Sequence, residues 1–300
     1  MIKEAPFNVL MTVSSAVSRA MGKTPVSEVR FETQGQVQGV WAYSLPTFQW
    51  IELVSGMQVN GKFPDKGAGL VISNHISTLD PFWAHCLVAE TAHRSIRAWA
   101  KISAIDPNKK ETALADTGRT HKDSLGSLGR RLIAAPYVRS FDPIPATIGG
   151  QNRKALRMTR QALNNDQLVW IFIQGHRRPA GDLLAYMPGA AYVLKDYPKL
   201  PVIPVGFSGT DHGVFAPKVM NVGESFTLTQ IREEIPEVAD MGEGEQVERV
   251  GLYMVDRIAQ LVEDERHKAA WENGRHLMRT FKLGRERLLR RIHGDPDLSL

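Results

Sequence analysis

Residues 69–81 read GLVISNHISTLDP: five residues without charge or alternation, a polar turn, then aspartate and proline. A short run that is apolar nearly throughout and ends in a turn has the pattern of a strand buried on both faces. Asp80 followed by Pro81 has the form of a helix N-cap with proline in the first turn, and apolar residues repeat at helical spacing over 81–91. Strand, tight turn and helix in that order open a parallel α/β unit.

The same alternation continues outward. Runs at 95–100, 168–173 and 201–207 are apolar apart from Arg97, and 125–134, 151–164 and 190–197 repeat apolar residues at three or four positions. The expected fold is α/β, with a mostly parallel central sheet flanked by helices, a helical N-terminal segment and a basic C-terminal helix. Downstream, 219–228 reads as another strand, 233–248 as an acidic loop and 246–265 as a helix. Residues 266–291 form a basic amphipathic stretch in which Trp271 and Phe281 interleave with arginines such as Arg275 and Arg279. The chain divides into an aromatic-rich segment over 1–60, a core over 61–232 and an acidic loop with basic helices over 233–300.

At 300 residues, 43% apolar and 23% charged, the chain is neither disordered nor collagenous nor fibrous. Its net charge of +5 permits contact with an anionic membrane without requiring one. Nucleic acid is not expected as a partner, since no binding motif accompanies the basic tail. The single cysteine, Cys86, excludes an intramolecular disulfide, suits a reducing cytoplasm and falls in an apolar stretch where core packing is its simplest role. Residues 5–18 lack charge but are too short to span about 30 Å of hydrocarbon. Residues 33–51 carry glutamines, glycines and Pro46, so no membrane-spanning helix is expected. Trp41, Tyr43, Phe48 and Trp50 in that stretch suit either a lipid headgroup surface or a cover over the core. The location read from these features is cytoplasmic, or peripheral on the inner face of the membrane.

Parallel sheets place ligands at the carboxyl ends of their strands, where the first strand delivers His75. A tight turn brings residues five apart within reach, so the Asp80 carboxylate can accept the Nδ1 proton of His75 and leave Nε2 as a base. A structural histidine beside a plain helix cap is the alternative. His75, Asp80, His85 and His93 lie close in sequence, but without cysteine or a glutamate-rich motif no metal is expected.

Asn74, His75 and Asp80 match Asn-His-x4-Asp, and here the chain resembles the glycerolipid acyltransferases, the family of 1-acylglycerol-3-phosphate acyltransferase and tafazzin. Three further blocks agree in order: 172–177 (FIQGHR) with Phe-Pro-Glu-Gly-Thr-Arg, 188–191 (PGAA) after the turn at 181–184 with the Lys-Gly-Ala helix start, and 200–205 (LPVIPV) with Val-Pro-Ile-x-Pro-Val. The resemblance covers 69–208. It implies a thioester-dependent O-acyltransferase without a resident cofactor, taking acyl-CoA or acyl carrier protein as co-substrate. His75, held by Asp80, would deprotonate a lysophospholipid-like acceptor, and Asn74, Gln174, Gly175 and Arg177 would contact substrate. His176, beside Arg177, and Lys101, as a nearby positive charge, are further candidates for substrate contact read from the residues themselves. Backbone N–H groups around Gly175 would serve the oxyanion.

Two departures concern the acceptor. Gln174 stands where the family has glutamate, and the second block, near 143–148, carries Thr147 and Ile148 in place of its Asp-Arg pair. Arg153, Arg157, Arg178 and Lys101 are candidates to supply the lost charge. The acceptor is therefore either a lysophospholipid held by a rearranged basic set or another alcohol or amine, such as a glycolipid, carotenoid or secondary metabolite. A catalytically inactive lipid- or carrier-binding relative is the reading from another class.

Overall fold

The computed structural model describes residues 5–31, 38–77, 79–105, 138–147, 152–175, 188–212 and 216–263. In chain order they form α1 (Ala5–Ala20), a 3-10 turn (Val26–Glu28), α2 (Gln38–Ser55), β1 (Gln58–Asn60), β2 (Gly69–Ser73), α3 (Asp80–Ala92), β3 (Arg97–Lys101) and α4 (Ile102–Ile105). There follow β4 (Ile144–Ala146), α5 (Arg153–Asn164), β5 (Leu168–Phe172), α6 (Gly189–Asp196), β6 (Val202–Ser208), β7 (Val219–Val222), α7 (Leu228–Glu234), α8 (Glu237–Asp240) and α9 (Glu243–Ala259). The helix expected at 125–134 and the basic stretch at 266–291 lie outside the described residues.

The strands join in the order β1-β7-β6-β2-β5-β3-β4. Every pairing is parallel except β6 with β7, so the expected mostly parallel sheet is what forms. β2 is central, with Val71 in register with Trp170 of β5 and Ile203 of β6. Alternate side chains serve two cores. Val71, Trp170, Ile203, Val205 and Phe207 meet α2 and α3 on one face. Leu70, Ile72, Val169 and Ile171 meet α5, α6 and α9 on the other. Burial on both faces explains why these strands lack polar alternation.

Arg97, which opens β3, is neutralised by Asp142 at 3.3 Å. β6 takes Gly206 because the chain leaving α9 crosses it: a Cβ there would lie 2.6 Å from the Leu261 carbonyl carbon and oxygen. Arg94, buried, donates to the carbonyls of Gly67 and Asp166 and so ties down the loops leading into β2 and β5.

Three expectations change at the element scale. The strand read over 219–228 stops at Val222: Phe226 keeps a lone bridge to Val202, and Thr227 caps α7 through a reciprocal pair with Gln230. The acidic loop read over 233–248 instead contains α8 and the first turns of α9, where Glu243 and Glu245 suit the positive end of the helix dipole. α9 accordingly runs Glu243–Ala259 rather than 246–265.

The aromatic segment is a helix whose rings mostly turn inward. Trp41 and Phe48 are fully buried, Trp41 edge-on to Phe141 at 5.4 Å and Phe48 beside Trp83 at 5.9 Å. They cover the core, which overturns the headgroup-surface reading for these two residues. Trp50 is 49% exposed, and the side chain of Tyr43 lies outside the described set. Among the described residues no helix is long and apolar enough to cross a membrane.

Candidate active site

β2 ends at Ser73, whose hydroxyl accepts from the Trp170 indole at 2.8 Å and whose carbonyl accepts from the Ile173 N–H at 3.0 Å. The next residue, Asn74, is buried with both ends of its amide used: Nδ2 donates to the Phe207 carbonyl and Oδ1 accepts from the Phe207 N–H, each at 2.8 Å. The turn carrying His75 is thus fastened to β6. Gln174, also buried, accepts the His75 backbone N–H on its side-chain oxygen. The His75 ring stacks on Phe172 with centroids 4.4 Å apart, and 15% of the side chain reaches the surface.

Asp80 is fully buried and sits in the first turn of α3, but it is not the helix cap expected of it. Leu79 occupies the cap position without a side-chain bond, and the Asp80 carboxylate turns back into the loop. There Oδ2 accepts from the backbone N–H of Ile76 at 2.7 Å, from that of Ser77 at 2.8 Å and from His75 Nδ1 at 2.9 Å. Oδ1 accepts from the Thr210 hydroxyl at 2.6 Å. Donors on both oxygens are what a buried carboxylate requires to remain charged. In the tautomer that places the proton on Nδ1 toward this carboxylate, Nε2 is the ring nitrogen left to accept a proton.

Of the other residues read as substrate contacts, Gly175 has a left-handed backbone, φ +70°, and its N–H closes a turn onto the Phe172 carbonyl at 2.9 Å. That N–H is committed to the turn, and the N–H groups that follow it, at 176–178, lie outside the described residues. His176, Arg177 and Arg178 lie outside the described residues, as does the side chain of Lys101, whose backbone ends β3. Arg153 and Arg157 are exposed on α5. Thr147, in the second block, gives its N–H and hydroxyl to the Asn152 side-chain oxygen at 2.8 and 3.0 Å.

His85, one turn beyond Pro81, has a different environment from His75. Its Nδ1–H donates to the Pro81 carbonyl, its ring packs on Phe141 at 4.3 Å, and burial lowers its pKa to about 4 despite that hydrogen bond. It is a neutral core residue. His93 ends α3 in a left-handed conformation, φ 54°. Thr210 had no sequence signal as a site residue, and Phe172 had only its place at the start of the 172–177 block, because each meets the His75 turn only through the pairing of distant strands.

Fold and site together define an α/β protein with a carboxylate-oriented histidine at the carboxyl edge of a mostly parallel sheet. The chain belongs to the acyltransferase family, whose model matches residues 56–208. Among solved structures, the 1-acyl-sn-glycerophosphate (LPA) acyltransferase PlsC of Thermotoga maritima is similar at 15% identity, over 77% of this chain and 80% of that one, with a TM-score of 0.43. No curated protein matches the chain.

Proposed function

We propose that the protein moves a fatty acyl group from acyl-CoA or acyl carrier protein to a hydroxyl of a lysophospholipid-like acceptor, with His75 as general base. The observation that carries this reading is the 2.9 Å contact from His75 Nδ1 to an Asp80 carboxylate otherwise saturated by hydrogen-bond donors. His75 Nε2 takes the acceptor's hydroxyl proton as that oxygen attacks the thioester carbonyl carbon. The carbon–sulfur bond breaks, and the proton passes to the departing thiolate. Asp80 stabilises the transient imidazolium and fixes the ring tautomer. No covalent acyl-enzyme is required. Contact with an anionic membrane surface would supply the lipid acceptor and a place for the exposed apolar side chains Val13 and Val17 on α1 and Leu53 and Val54 on α2.

A second reading of the acceptor rests on Thr147. It carries no charge, and its N–H and hydroxyl are committed to Asn152, so that position offers a phosphate neither a charge nor a free donor. This favours an uncharged alcohol or an amine, as in a glycolipid or secondary metabolite. Incubating the full chain with isotopically labelled oleoyl-CoA and a crude lipid extract tests both readings. An added oleoyl mass on a lysophospholipid supports the first, and one on another alcohol or amine supports the second. Absence of any labelled product with CoA and carrier-protein donors alike contradicts acyl transfer.

A further inference from the structure

Asp80 reaches His75 through a carboxylate that is itself held from across the sheet. Its Oδ2 receives three N–H donors, all from the turn 75–77. Its Oδ1 receives the Thr210 hydroxyl, which lies 130 positions away in sequence. Thr210 is buried and stands two residues beyond the end of β6. Gly209, which leads into it, has φ +73°, and a Cβ there would lie 2.5 Å from the Pro217 carbonyl oxygen. The turn that presents the hydroxyl therefore passes close against the Pro217 backbone.

A carboxylate bound through one oxygen alone can still rotate about its Cβ–Cγ bond, and that rotation swings the accepting lone pair away from Nδ1. A hydroxyl donating to the second oxygen holds the plane of the group. It also neutralises part of the charge on an oxygen that has no access to water. The end of β6 thus grips the His75 turn twice, at Asn74 through the Phe207 backbone and at Asp80 through Thr210.

We infer that Thr210 is a positioning residue for the His75–Asp80 pair, acting through its hydroxyl on Asp80 Oδ1. This rests on His75 being the base. A Thr210→Val substitution removes the donor while keeping the shape, and Thr210→Ser keeps the donor. The full chain carrying each is assayed for thiol release from oleoyl-CoA with the acceptor giving the highest parental rate, and the His75 Nδ1–H proton is followed by NMR. The valine variant should lose roughly tenfold in kcat with KM within about twofold of the parent, and should shift the Nδ1–H resonance. The serine variant should restore both.

Unchanged kcat and an unmoved resonance in a folded Thr210→Val protein would overturn the inference. If the valine protein does not fold, Thr210→Ala carries the same comparison. Loss of fold in both, with the serine protein intact, would make the hydroxyl purely structural and would equally overturn it. His75→Ala is measured alongside. If that variant keeps full activity, it is the base assignment that falls. Should the parent release no thiol, the resonance alone decides the role of Thr210, because it needs no turnover.

Discussion

Two histidines ten positions apart show how much a side chain's surroundings decide. His75 touches the surface, a carboxylate and an aromatic face, whereas His85 is enclosed between Trp41 and Phe141 with only a carbonyl for Nδ1. The burial that lowers the His85 pKa from 6.5 to about 4 links it to stability. The unfolded chain binds a proton there more readily than the folded one, so stability is complete above pH 6.5. It declines as the pH falls from 6.5 toward 4, by about 3 kcal/mol in total. Urea unfolding at pH 7 and pH 4.5 should therefore show a smaller loss on acidification in His85→Gln than in the parent. An identical loss in both would contradict the burial account. At this scale the sequence made His75 and Asp80 legible, because they are five apart and a strand-to-helix turn must bring them together. It left Thr210 silent, and it suggested substrate roles for Asn74 and Gln174 without showing that their amides secure the backbone of the turn. Each of those contacts depends on which strands become neighbours, and nothing local encodes that.

The long buried strands and amphipathic helices were readable from pattern alone, since burial on two faces or on one stripe leaves a period in the sequence. β1 and β4, three residues each, are too short to leave one. In α2 the aromatic residues pointed two ways until packing separated them. Trp41 and Phe48 face the core, while Trp50, Leu53 and Val54 at helical spacing are 49%, 66% and 50% exposed. Val13 and Val17 form a matching exposed stripe on α1, which packs against α2. Exposed apolar stripes on adjoining helices suit a lipid surface. Leu53→Asp should lower co-sedimentation with phosphatidylglycerol-containing vesicles about tenfold or more, given about 2 kcal/mol for burying a leucine side chain. Equal binding by parent and variant would remove these helices from the account.

Across the whole molecule, the sheet gathers what the chain scatters. β2 brings His75 and leads to Asp80, β5 brings Phe172 and Gln174, and β6 brings Phe207 and Thr210, all at the same carboxyl edge. All of these residues except Thr210 fall within the family match over residues 56–208. The helices on one face hold His85 and Cys86 in the core, far in environment from the reactive edge although near in sequence. An arrangement that invests strand ends, a buried carboxylate and a stacked aromatic ring in one imidazole has a consequence for kinetics. In the proposed reaction this imidazole removes the acceptor's proton. Thiol release from oleoyl-CoA, with the acceptor identified from the lipid extract, should fall by about a hundredfold or more in His75→Ala. Circular dichroism should remain that of the parent. A folded His75→Ala protein that turns over at the parental rate would contradict the claim.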